Sequence, residues 1–114
     1  KSDAQTREVE SAIRAWASAW SRKDMAAYYA AYASDFDGCK GRRNWEQERR
    51  ARIVGKRSIS VKVSDLDIEV SGDRATARFH QDYRADTFSA SDSKQLDLVR
   101  QGNGWVIVKE VSGS

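Results

Sequence analysis

The hydrophobic positions of this chain change period near residue 58. Before it they recur every three or four residues, and after it they alternate. Val9, Ile13, Trp16 and Trp20 form one stripe, with Ala12, Ala17 and Ala19 as strong helix formers, which predicts a helix from about Asp3 to Arg22. Asp24 is placed to cap a second helix, where Met25, Tyr28, Tyr29, Tyr32 and Phe36 continue an apolar face. The segment Asp35 to Arg43 holds two glycines and reads as irregular. Asn44 then reads as the N-cap of a third helix, with Gln47 completing a capping box and Gly55 ending the helix.

In the second half, Ile59, Val61 and Val63 share one parity, whereas Leu66, Ile68 and Val70 share the other. One core face survives across Ser64-Asp65 only through a bulge or break. Ser71-Gly72-Asp73 reads as a turn and Arg74 to about Asp86 as the clearest strand. Thr87 to Ser93 is polar and unpatterned, as in a flexible hairpin tip. Lys94 to Arg100 and Trp105 to Val111 read as strands around a turn at Gln101 to Gly104, and Ser112-Gly113-Ser114 as a loose tail. The connections are too short for crossovers, so the sheet is expected to be antiparallel. The expected class is α+β, with three N-terminal helices packed on a curved sheet of about four strands. A single domain is expected over residues 1–114, ordered from about 3 to 111. A start at Lys1 rather than Met suits either a processed product or a domain excised from a longer protein.

Polar residues fall where these patterns call for core. Trp45, Arg49 and Ile53 share one helix face. Gln81 shares its strand face with Ala75, Ala77, Phe79 and Tyr83, and Lys94 shares parity with Leu96 and Leu98. Buried polar groups must be paired, hydrogen-bonded or wet. Arg49, Gln81 and Lys94 therefore either satisfy one another, with Glu110 as counter-charge, or line a pocket walled by Trp45, Phe79, Tyr83 and Leu96. Glu110 is out of parity with Trp105 and Ile107 and faces inward only if the last strand bulges. Tyr32 and Tyr83 offer hydroxyls at the mouth of such a cavity, or pack with satisfied tips.

The chain has 114 residues, 39% hydrophobic and 32% charged, with net charge +3. No apolar run approaches the ~20 residues that span a bilayer, and no apolar signal-peptide core is present. One histidine and one cysteine, Cys39, cannot make an ordinary zinc site, and the acidic residues lack calcium-loop spacing. No metal or cofactor is expected. Between Lys40 and Arg57 lie eight basic residues against Glu46 and Glu48. Base-stacking aromatics are not interleaved there, which favours a solvated helix face over nucleic-acid binding. His80 has outward parity, and no serine or cysteine carries a nucleophile signature.

Taken in order, Trp16-Ala-Ser-Ala-Trp20, Lys23-Asp24, Tyr28 to Tyr32, Trp45-x-x-x-Arg49, Phe79-His-Gln81-Asp-Tyr83, Lys94-Gln-Leu96 and Trp105-Val-Ile107 with Glu110 resemble the nuclear transport factor 2-like superfamily. SnoaL-like and ketosteroid-isomerase-like proteins belong to that superfamily. The closer resemblance is to the C-terminal domain of bacterial L,D-transpeptidase-related cell-shape proteins and of tetratricopeptide-repeat envelope proteins. The loop before Trp45 departs from the fuller pattern. The resemblance implies a non-catalytic ligand-binding or interaction module, an accessory domain of a periplasmic or envelope protein. Its site would comprise Arg49, Gln81, Tyr83, Lys94, Tyr32, Trp45 and Glu110. Two buried cations suit a small anionic or carbohydrate-like ligand, such as a cell-wall fragment. Other domains of a parent protein are the expected partners. A charged outer sheet face (Thr76, Arg78, His80, Asp82, Arg84) implies a monomer or weak homodimer. Two alternatives stand: a small isomerase-like enzyme using Asp35, Asp37, Tyr32 and Tyr83, and a polyanion-binding basic surface.

Overall fold

The computed structural model describes residues 3–36, 41–102 and 104–112. Three helices, α1 (Asp3–Arg22), α2 (Met25–Ala30) and α3 (Arg42–Val54), precede four strands, β1 (Ile59–Ser71), β2 (Arg74–Ala85), β3 (Phe88–Gln101) and β4 (Gly104–Ser112). The strands form one antiparallel meander in the order β1-β2-β3-β4, as expected for the α+β class. The α1 stripe is the heart of the core, with Val9, Ile13 and Trp16 fully buried. Asp24 caps α2 by accepting from the Ala27 amide. The segment after α2 then pairs with β4, where Ala33 N–H donates to the Ile107 carbonyl and Ile107 N–H to that of Ala31. This covers the β4 edge that a meander otherwise leaves open.

Both parity conflicts in the sequence resolve as bulges. In β1 the register with β2 shifts between Ser64 and Asp67, and Asp65 adopts φ +53°. In β4, Ile107 lies opposite Leu98 but Lys109 lies opposite Asp97, so Val108 is the extra residue. Glu110 consequently sits opposite Leu96 and shares its inward face.

Three expectations are corrected. Helix α3 begins at Arg42, with Gly41 (φ +90°) as its N-cap, so Asn44 lies inside the helix rather than at its N-cap. Arg42 explains the earlier start. Its guanidinium donates to the Ala33, Phe36 and Tyr29 carbonyls and pairs with Glu46 at 2.8 Å, tying the helix start to the loop after α2. Gly55 does end α3, but at φ −71°, so handedness is not the reason. A Cβ there would stand 2.9 Å from the Ala51 carbonyl oxygen. Finally, residues 88–93 belong to β3 rather than to a loose tip, because their backbone pairs with β2 up to a turn at Asp86-Thr87. Their side chains are exposed on both faces, so no alternation marks them as strand. Ser112 falls in β4. Asp37, Cys39, Lys40 and the Gly113-Ser114 end of the expected tail lie outside the described residues.

Candidate functional site

The concave face of the sheet, α1, α2 and the end of α3 enclose a cavity of about 560 Å³. Its floor carries the inward polar residues. Strand β2 contributes Gln81, β3 contributes Lys94, and the bulged β4 contributes Glu110. Helix α3 contributes Arg49, and α2 the hydroxyl of Tyr28. The aromatic wall is Trp20, Tyr83 and Phe88, stepping outward with ring centroids 5.2 and 6.1 Å apart.

Glu110 organises the floor. Its Oε2 accepts from Lys94 Nζ at 2.6 Å, and its Oε1 accepts from the Tyr32 hydroxyl at 2.9 Å and Arg49 Nη2 at 3.4 Å. Arg49 Nη1 also donates to the Tyr28 hydroxyl at 2.6 Å. The Glu110 and Lys94 side chains are only 7% and 6% exposed. Burial by itself would raise the Glu110 carboxyl, but the charges of Lys94 and Arg49 outweigh it and hold the group below its ordinary range. Burial pushes the Tyr28 and Tyr32 hydroxyls up. Burial opposes the Arg49 charge, yet Tyr28 and Glu110 keep it firmly protonated. Beneath Arg49 lies Trp45, 5.5 Å from the guanidinium, and Lys94 Nζ rests 5.5 Å over Trp16.

Gln81 differs from this network. It is 8% exposed, lines the cavity, and its Oε1 is buried without a hydrogen-bond partner. A buried unpaired acyl oxygen costs free energy unless a donor arrives from elsewhere.

The structure brings Arg49, Gln81, Lys94, Glu110 and Tyr83 to one cavity. It places Tyr32 and Trp45 behind the wall, as supports for Glu110 and Arg49. The expected walls are corrected: Leu96 and Trp45 are sealed in the core, and Phe79 lines a separate depression with Asp65 and His80. The actual walls include Trp20, Phe88 and Ile53. Trp20, the last stripe residue before α1 ends, is half-buried: it packs on Trp16 and Tyr28 of the core and also lines the cavity. Phe88, 59% exposed, had no pattern to reveal it. Arg52 and Lys56 also reach the cavity, and their three- and seven-residue spacing from Arg49 was a usable signal. Of the basic run, Arg42 and Arg49 turn inward and are engaged, which thins the expected polyanion surface. Asp35 is exposed and does not line the cavity, and Asp37 lies outside the described residues. Among the described residues, no three histidine, cysteine or acidic side chains stand together as a metal site.

Residues 8–111 match the family described as the Cds6 C-terminal NTF2-like domain. No curated protein matches the chain. Among solved structures, Bdellovibrio bacteriovorus Bd1075 superposes with TM-score 0.85 at 18% identity, over 94% of this chain and 39% of that one. The helical cell shape determining protein Pgp2 from Campylobacter jejuni gives TM-score 0.72 at 18% identity, over 88% of this chain and 38% of its own. An NTF2-like superfamily protein from Salmonella enterica gives 0.86 at 14% identity, over 99% and 92%. The chain thus spans about two fifths of the Bdellovibrio and Campylobacter chains.

Proposed function

The chain belongs to the family of Cds6 C-terminal NTF2-like domains, and from that premise we propose that it is a non-catalytic ligand-binding module, an accessory domain of a bacterial envelope protein. The observation that carries this is Gln81, which lines a cavity with an aromatic wall and whose buried Oε1 has no protein donor. An aromatic wall with a few fixed polar groups is the usual make-up of a small-molecule site. Flat, hydroxyl-rich rings suit it: carbon faces lie against Trp20 and Tyr83, and a hydroxyl donates to Gln81.

Binding is favoured over catalysis by the state of the only carboxylate on the cavity floor among the described residues. Glu110 already accepts from three donors and is held strongly ionised. A general base works best with a pKa near the working pH and a free lone pair. The likeness to Pgp2, named as cell shape determining, supports an envelope setting and a cell-wall-derived ligand. No helix of the described residues is long and apolar enough to cross a membrane.

Calorimetry with N-acetylglucosamine and its short oligomers tests the proposal. Wild type should bind, and Trp20→Ala and Gln81→Leu should weaken binding. Arg49 and Lys94 are poorer test positions, since removing either strips a partner from Glu110. Equal heats of dilution for wild type and both variants would remove the cavity as a ligand site.

A further inference from the structure

We propose that the cavity takes a hydroxylated ring bearing a single carboxylate, with the ring held inside and the carboxylate outside against Arg52 and Lys56. This rests on the reading of the cavity as a ligand site and assigns the ligand its class and its direction. At the inner end, both cations are already engaged by the protein: Lys94 and Arg49 with the one carboxylate of Glu110, and Arg49 again with the Tyr28 hydroxyl. A carboxylate entering there would have to displace Glu110 or Tyr28 from donors that they already hold. What the inner end lacks is a donor for Gln81 Oε1, which a hydroxyl supplies and a carboxylate does not.

The rim is arranged differently. Arg52 is 64% exposed and its ion pair with Glu48 is long, at 3.4 Å. Exposed pairs of this kind hold little energy, so the guanidinium can be recruited at small cost. Lys56 follows one turn later on the same side of the cavity. Across the opening stands Asp92 on β3. Two cations on the helix side and one carboxylate on the hairpin side leave room for one anion and disfavour a second near β3.

Glucuronic acid and its methyl ester test this, because the ester removes the charge and adds only one methyl group. Amide shifts in labelled protein would give both affinities for wild type, Arg52→Ala/Lys56→Ala and Gln81→Leu, with thermal melts confirming that each variant folds. The rim variant should bind glucuronate about tenfold more weakly and the ester as wild type does. Gln81→Leu should weaken both. Added salt should weaken only the acid. A glucuronate-terminated disaccharide separates the two natural sources: equal affinity marks a free sugar acid, tighter binding a glycan end, and either agrees with the site. If the rim variant changes both affinities alike, or neither, the proposal fails while the ligand site stands. If wild type binds neither sugar, the proposal fails, and the ligand site falls with it only if the N-acetylglucosamine oligomers also give no heat of binding.

Discussion

Glu110 reaches Lys94 at 2.6 Å across the β3–β4 pair because Val108 is bulged out of the ladder. Without that extra residue, Glu110 would fall on the outer face, and Lys94 would be buried without its counter-charge. Breaking such a pair on one side is costlier than never having made it. Lys94→Met should therefore destabilise the fold by about 3 kcal/mol, measured by urea unfolding. The double variant Lys94→Met/Glu110→Leu should lose less than the sum of the two single changes. Simple additivity would mean that the two side chains do not support each other.

Acid should expose the same network. The Glu110 pKa in the folded protein lies below its ordinary 4.5. The unfolded chain thus takes up the proton first, and the stability this group contributes is fully present above about pH 4.5 and lost as pH falls through the lowered value. Unfolding midpoints from pH 7 down to pH 3 should fall more steeply for wild type than for Glu110→Gln. Parallel profiles would contradict the shift.

The tyrosines report in the opposite direction. Tyr28 and Tyr32 titrate above their ordinary 10.0 in the folded protein. Their contribution is present below pH 10 and is lost as pH rises through the raised values. Burial also raises Tyr29 and Tyr83, so ultraviolet titration should show all four tyrosines ionising above 10.0, with Tyr32 the latest. Tyr32→Phe should remove the latest step.

How much of this was legible depended on whether a residue's setting left a periodic trace. The conflicts behind the β1 and β4 bulges were legible as changes of phase in a two-residue period, which left a break in β1 and an outward Glu110 in β4 as the alternatives. Leu66 against Val63, and Glu110 against Ile107, each carried the conflict in plain sight. The start of α3 was not legible, because Gly41 caps it by backbone conformation and Arg42 by a side chain reaching carbonyls from Tyr29 to Phe36. Residues 88–93 of β3 were missed since their side chains are exposed on both faces and leave no alternation. Trp20 packs on the core as expected, but its second place on the cavity wall was missed for a related reason. A helical stripe marks the side that is apolar but does not mark where its cover ends.

Asp65 tests the first bulge. A left-handed conformation costs roughly 1–2 kcal/mol for a residue with a Cβ, less for Asp. With φ at +53°, Asp65→Gly should be neutral or slightly stabilising, and Asp65→Val should destabilise by about 1–2 kcal/mol. Equal stability of the two variants would place the strain elsewhere.

The outer sheet face, with Arg78 and Arg84 exposed, is charged rather than apolar. We expect a monomer in sedimentation at micromolar concentration, with weak pairing at most as concentration rises. A tight dimer would require a different interface.

The central claim is that Gln81 reads a ligand inside the aromatic-walled cavity. The most direct measurement is the structure of the protein soaked with an N-acetylglucosamine oligomer or with glucuronate. The account predicts a ring over Trp20 and Tyr83 with a hydroxyl within hydrogen-bond reach of Gln81 Oε1. A sugar bound elsewhere, or a Gln81 amide turned to a protein donor with the cavity holding water alone, would contradict it.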